Sequence, residues 1–84
     1  MPKYLDHHKA VQLPPQVAQM VLAQIKAGKA DPATGIKPLN GFTGTNGEGW
    51  CLMEAPNADV VCKMHEGLGI KLDKGNVVEV TTYV

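Results

Sequence analysis

Two short motifs contain side chains that bind metals or transfer protons. Asp6 and His8 are separated by one residue near the N-terminus, and Glu54 stands directly before Ala55-Pro56 in the middle of the chain. Imidazole nitrogens suit nickel, zinc and copper, and the same side chains serve as general acids and bases. The pattern therefore predicts a divalent transition metal site or an acid–base site in which His8 and Glu54 are the catalytic candidates.

His65 and Glu79 are further candidates for the same site. His65 lies on a predicted helix, one turn after a valine, so the alternative to a metal ligand is a hydrogen-bonded histidine at the edge of the core. For Asp6 and Glu79 the alternative is an ordinary solvated face. We predict metal binding by His8, His65, Asp6 and Glu54, in which either carboxylate is a ligand or orients the histidines.

The two cysteines, Cys51 and Cys62, lack the close spacing of a metal-binding pair. The pattern places one in the middle of a strand and the other in the middle of a helix. Cysteine is often a small buried hydrophobe, and a disulfide is not expected in a reducing compartment. We therefore predict that both are inert packing residues, with reactivity or metal ligation at Cys51 as the alternative.

The charge balance of the chain bears on its partners. The 84 residues include eight basic and eight acidic side chains, so the net charge is zero and no field attracts nucleic acid or an anionic membrane. No apolar run approaches the roughly 20 residues that span a bilayer. The start of the chain lacks the apolar core of a signal peptide, which predicts a cytoplasmic protein. The length predicts one domain over residues 1–84.

The first half of the chain predicts a strand, a helix and a second strand. Residues 3–8 are expected to form a short strand. Leu13-Pro14-Pro15 opens a helix, because proline fits the first helical turn, and Gly28 ends it. The apolar stripe of this helix consists of Val17, Met20, Val21 and Ile25. A second strand over about 37–45 contains Pro38, which indicates a sheet edge because proline cannot donate to the ladder.

The second half predicts a strand, a helix and a final strand. Asn46-Gly47 predicts a hairpin turn with both residues at positive φ, followed by a strand over residues 50–55. Asn57 is expected to cap the second helix. The buried stripe of that helix consists of Val60, Val61, Met64 and Leu68. The β-branched segment 76–84 forms the final strand.

The β-α-β-β-α-β order predicts an α+β sandwich of the ferredoxin-like type, with sheet order 4-1-3-2 and both helices on one face. We expect the first and third strands to run in parallel and Leu5 to pack beneath the helices. Val78 and Val80 are expected on the helix-covered face as well. Under these assumptions one rim of the open face contains Asp6, His8, Glu54 and Glu79.

Large apolar side chains are also expected on the open face. The predicted members are Tyr4, Phe42, Trp50, Leu52 and Tyr83. A patch of this kind usually marks a partner, so we predict a homodimer of the dimeric α/β-barrel type. A small-molecule pocket would lie between the two sheets, beside Tyr4, Trp50, Leu52 and Glu79. A dimeric interaction module without chemistry is the remaining alternative.

Four sequence features occur together in this chain: Asp6-x-His8, Cys51-Leu52-x-Glu54-Ala55-Pro56, His65 and Val78-x-Val80. This combination resembles a family of small bacterial proteins of unknown function that includes an actinobacterial nickel-binding protein. The resemblance implies a ferredoxin-like fold, a dimer and nickel as the metal. Family members often have a second histidine a few residues after the helical one, where this chain has Gly67-Leu68-Gly69.

Overall fold

The computed structural model describes residues 1–10 and 14–81. The elements are β1 (Lys3–His8), α1 (Pro15–Ala27), β2 (Lys37–Thr43), β3 (Gly49–Glu54), α2 (Ala58–Gly67) and β4 (Val77–Val80), with a short 3-10 turn, Lys74–Asn76, before β4. The predicted order of helices and strands is confirmed. Leu13 and the predicted last residues of the final strand, including Tyr83, lie outside the described residues.

The four strands form one sheet in the order β2-β3-β1-β4, and every neighbouring pair is antiparallel. The predicted ferredoxin-like sheet order is confirmed, but the expectation that the first and third strands run in parallel is wrong. After the crossover through α1, β2 runs in the same direction as β1. The hairpin then reverses the chain, so β3 runs antiparallel to both. As a result His8 pairs with Gly49, and Lys3 pairs with Glu54.

The two sides of β1 are the reverse of those predicted. Tyr4 is 8% exposed and Asp6 is 0% exposed, so this side of the strand is the buried one. Leu5 is on the opposite side, since side chains alternate along a strand. The expectation that Leu5 packs beneath the helices is therefore wrong. Polar residues occur on both sides of β1, and the Tyr4 ring, rather than Leu5, enters the core.

The core lies between the sheet and α2. It consists of Tyr4, Ile36, Met53, Ala55, Val61 and Leu72. Asn57 caps α2 as predicted, because its Oδ1 accepts the N–H of Val60 at 2.9 Å. Val61 and His65 are the buried residues of this helix, so α2 turns one apolar and one polar side chain toward the sheet.

Helix α1 packs less closely against the sheet than α2 does. Gly28 ends it in the left-handed conformation, with φ of 65°, as predicted. Within Pro15–Ala27, however, no residue is buried, and Met20 of the predicted stripe is 49% exposed. The helix contacts mainly β2. Its loose packing leaves a groove bordered by α1, α2 and the sheet.

The loop of the β2–β3 hairpin consists of residues 45–47, between Gly44 and Glu48, instead of the predicted two-residue turn. Gly44 N–H donates to Glu48 O at 2.7 Å, and Gly47 N–H donates to Gly44 O at 3.1 Å. Gly47 has φ of 90°, whereas no described non-glycine residue has positive φ. The prediction that Asn46 also has positive φ is therefore wrong. Asn46 Oδ1 instead accepts the N–H of Glu48 at 3.1 Å, which stabilises this turn.

The side of the sheet opposite α2 exposes apolar residues. Phe42 pairs with Trp50, and Phe42 is 55% exposed. Val78, expected beneath the helices, is 56% exposed on the same side as Leu5. Tyr4 and Glu79, which were assigned to this surface, pair with each other and lie on the other side. A homodimer through this face and a pocket between two sheets stay predictions.

None of the described helices has the length and apolar character needed to cross a membrane.

Candidate metal centre

The side chain of Asp6 is the centre of a buried polar cluster. Its carboxylate is 0% exposed. Oδ1 accepts the backbone N–H of Cys51 at 3.0 Å and lies 3.1 Å from His8 Nε2. Oδ2 lies 3.1 Å from His65 Nε2. One carboxylate therefore contacts two imidazole rings, whose centroids are 5.2 Å apart.

Three elements bring these groups together. Asp6 and His8 are two residues apart on β1, so their side chains emerge on the same side of the strand. Asp6 lies directly opposite Cys51 of β3, which explains the hydrogen bond between them. His65 is one turn after the buried Val61 on α2, and this spacing puts both side chains over the sheet.

The hydrogen bonds of His65 determine which of its nitrogens carries hydrogen. Nδ1 lies 2.8 Å from the carbonyl oxygen of Val61. A carbonyl oxygen only accepts, so Nδ1 must donate. In the neutral ring Nε2 then has a free lone pair, and that lone pair faces another acceptor, Asp6 Oδ2. Either a proton or a metal ion must lie between them to make this contact favourable.

The electrostatics of the metal-free protein favour the proton. Burial alone lowers the pKa of His65, but the Asp6 contact, the hydrogen bond to the Val61 carbonyl and the charge of Asp6 outweigh it. The net result is a pKa raised above the ordinary value of 6.5. The Asp6 contact therefore favours the imidazolium form of His65 when no metal is bound.

One oxygen of the cluster is incompletely satisfied. Among the described residues, Asp6 Oδ2 has no partner with hydrogen-bond geometry, although His65 Nε2 is within ion-pair distance. Burying a carboxylate costs several kcal/mol unless its oxygens are compensated. An under-satisfied buried oxygen beside two imidazoles fits a cation, because the cation supplies the missing interaction.

Cys51 adds a sulfur atom to the cluster. The potential ligand atoms of Asp6, His8 and Cys51 all lie within 4.8 Å of one another. Burial, the charge of Asp6 and a hydrogen bond to Asp6 raise the pKa of the thiol to about 12, so without metal it is neutral at physiological pH. The sequence predicts an inert packing residue here, with metal ligation as the alternative. The antiparallel register of β1 and β3, which pairs Cys51 with Asp6, is the signal that would have identified it.

Two predicted members of the site lie elsewhere. Glu54 pairs with Lys3, five positions along β1 from His8, or roughly 16 Å at 3.3 Å per residue. Glu54 is also on the opposite side of the sheet. The expectation that His8 and Glu54 share one rim as acid and base is therefore wrong. Glu79 pairs with Tyr4 on the edge strand and is exposed, so it does not join the cluster either.

A solved structure has the same architecture along almost the whole chain. The crystal structure of SCO4226 from Streptomyces coelicolor A3(2) matches with a TM-score of 0.69 at 20% sequence identity, over 98% of this chain and 99% of that chain. The two proteins share a fold. No family model matches the chain, and no curated protein does. The likeness confirms the predicted fold class, and the chemistry of the site has to be inferred from its own residues.

The groove beside α1 gives access to the cluster. It has a volume of about 1480 Å³, and His8, Cys51 and His65 are part of its lining. Apolar walls come from both helices, at Val21, Ile25, Met64 and Leu68. The His8 side chain is 11% exposed, whereas that of Asp6 is fully buried. A small ion can therefore approach from the His8 side of the cluster.

The raised pKa of His65 predicts a pH dependence of stability. In metal-free protein its contribution to the free energy of unfolding is fully present below the unfolded value of 6.5 and is lost as pH rises through the higher folded pKa. We expect chemical denaturation with a chelator present to show this loss in the wild type and not in His65→Gln. The partly exposed His7, 3.7 Å from Glu48, supplies the control variant His7→Gln. An identical pH profile for wild type and His65→Gln would contradict the ion pair.

Proposed function

We propose that this protein binds a divalent first-row transition metal ion through Asp6, His8 and His65. The observation that supports this most strongly is the Asp6 carboxylate, which is 0% exposed and has an imidazole Nε2 at 3.1 Å from each of its oxygens. Carboxylate oxygen and imidazole nitrogen are both ligands for such ions. Reversible binding of the ion is the function, and the fold holds its ligands.

A purely structural role explains the cluster less well. Replacing a buried ion pair by apolar residues of similar volume is often neutral or stabilising, so a buried ion pair is weak evidence of a contribution to stability. Here one of the carboxylate oxygens also lacks a good hydrogen bond among the described residues. A bound cation removes that deficit. Metal binding therefore gives a reason for three polar side chains to occupy space that apolar residues would fill.

The orientation of His65 supports the same conclusion. Metal-binding histidines usually donate their second ring N–H to a carbonyl or carboxylate, which fixes the tautomer and aims the other nitrogen at the ion. The Nδ1 contact with the Val61 carbonyl, at 2.8 Å, has this form. The free nitrogen of the neutral ring is then Nε2, the atom that faces Asp6.

Imidazole ligands suit nickel, zinc and copper, so the donors Asp6, His8 and His65 do not by themselves select one ion. The motif resemblance to a family that includes a nickel-binding protein makes nickel a candidate. When bound, the ion supplies a positive charge that replaces the proton of the His65–Asp6 contact. Binding is therefore expected to weaken at acidic pH, as for other sites with imidazole ligands.

Isothermal titration calorimetry with nickel, zinc and copper tests the proposal. We expect saturable binding of one ion per chain, with affinity reduced on the order of 100-fold or more in His8→Ala, since outer partners alone contribute up to about that factor. His7→Ala is the matched control, because His7 neighbours His8 in sequence but is on the other side of β1. Absence of uptake, or equal losses in His7→Ala and His8→Ala, would contradict the proposal.

A further inference from the structure

We propose that Cys51 is a thiolate ligand of this metal site and that it shifts the preference of the site toward zinc over nickel. The inference rests on the metal site proposed above and identifies both an additional ligand and the class of ion. It concerns a residue for which the sequence favours packing and leaves metal ligation as the alternative.

The geometry brings the sulfur close to the donor atoms of Asp6 and His8. Asp6 and Cys51 are direct partners in the antiparallel β1–β3 ladder, and the Cys51 N–H donates to Asp6 Oδ1 at 3.0 Å. The Cys51 side chain is therefore on the buried side of the sheet with the Asp6 carboxylate. The ligand atoms of Asp6, Cys51 and His8 lie within 4.8 Å of one another.

A second observation points to a ligand at this position independently of the cysteine. Asp6 is completely buried, and its Oδ2 lacks a hydrogen bond of good geometry among the described residues. Cys51 itself is one of two free cysteines, so its sulfur is available. The thiol thus lies beside the carboxylate whose second oxygen is under-satisfied.

The composition of the donor set determines the ion. With Cys51 included, the donors are two imidazole nitrogens, one carboxylate oxygen and one sulfur. Zinc is typically held by four ligands drawn from cysteine, histidine and carboxylate side chains. Thiolate donors favour zinc and copper(I), whereas the same site without sulfur suits a broader range of ions, including nickel. When zinc binds, the S–H bond breaks, a sulfur–zinc bond forms, and the thiol proton passes to solvent. Zinc remains divalent throughout.

Cobalt(II) spectroscopy on the reduced, full-length chain tests the inference, because cobalt replaces zinc and is coloured. We expect cobalt-loaded wild type to show a near-ultraviolet sulfur-to-cobalt charge-transfer band. Cys51→Ser and Cys51→Ala should bind cobalt without that band, and their zinc affinity should fall at least about 10-fold, since even outer partners contribute that much. Their nickel affinity should fall less. Cys62→Ser on α2 is the matched control and should keep the band.

The outcomes separate this inference from the proposed function. Cobalt binding without a charge-transfer band in the wild type, or a band that persists in Cys51→Ser, overturns the thiolate ligand and leaves metal binding by Asp6, His8 and His65 intact. Absence of cobalt and zinc binding overturns both.

Discussion

A saturating transition metal is expected to raise the Tm of the wild-type protein by about 10–20 °C and to leave the Tm of Asp6→Asn nearly unchanged. A ligand that binds only the folded state stabilises it by about 2.7 kcal/mol at a free concentration of about 100 times its Kd. For a domain of this size each kcal/mol is worth about 4–8 °C. Asparagine keeps the shape of Asp6 and an oxygen for the Cys51 N–H, but it removes the charge that the cation needs.

The control for this experiment is Glu54→Gln. Glu54 was predicted as a ligand from its place before Ala55-Pro56, but it pairs with Lys3 at the far end of β1. Its substitution should leave the metal-induced rise in Tm intact. Differential scanning fluorimetry with and without a chelator measures all three proteins. A rise of the same size in Asp6→Asn, or its loss in Glu54→Gln, would show that the ion binds somewhere other than the Asp6 cluster.

The order and the ends of the elements were predictable because local chemistry determines them. Gly28 ends α1 in the left-handed conformation that glycine adopts without steric cost, and Asn57 accepts the Val60 N–H at the start of α2. Pro38 is on the edge strand β2, as its missing N–H requires. Each of these features depends on a few neighbouring residues, so the sequence predicts the fold class.

The composition of the site was only partly predictable, because it depends on strand direction and on which side of the sheet is covered. Asp6, His8 and His65 were predicted ligands and do lie together. Glu54 would lie at the same end as His8 only if the first and third strands were parallel, and their antiparallel pairing puts it opposite Lys3.

The side of β1 that faces the core was not predictable from alternation. Both sides of this strand contain polar groups, and a buried aspartate is rare unless it is paired. Asp6 is tolerated in the interior because residues distant in sequence, His65 and Cys51, contact it there. For the same reason the sequence favours packing for Cys51 and leaves metal ligation as the alternative. Cys51 and Asp6 are 45 residues apart in sequence, and only the antiparallel register of β1 and β3 brings them into contact.

The position of a bound ion is the most direct test of the proposed function. Crystals of the protein grown with nickel or zinc, with diffraction data measured on both sides of the absorption edge of the metal, locate that ion by its anomalous scattering. We expect one strong anomalous peak per chain beside the Asp6 carboxylate, His8 Nε2 and His65 Nε2, because each imidazole nitrogen lies 3.1 Å from one of the carboxylate oxygens. Asp6→Asn crystals grown in the same way should lack the peak.

An alternative position is easy to recognise. His7 and Glu48 form a partly exposed pair, with His7 Nε2 3.7 Å from Glu48 Oε1, and the His7 side chain is on the other side of β1. A histidine that solvent reaches can bind a metal ion without further ligands. A peak at His7, or no peak in crystals soaked with an excess of metal, would contradict metal binding by the buried cluster. A peak among Asp6, His8 and His65 that disappears in Asp6→Asn is the result we predict.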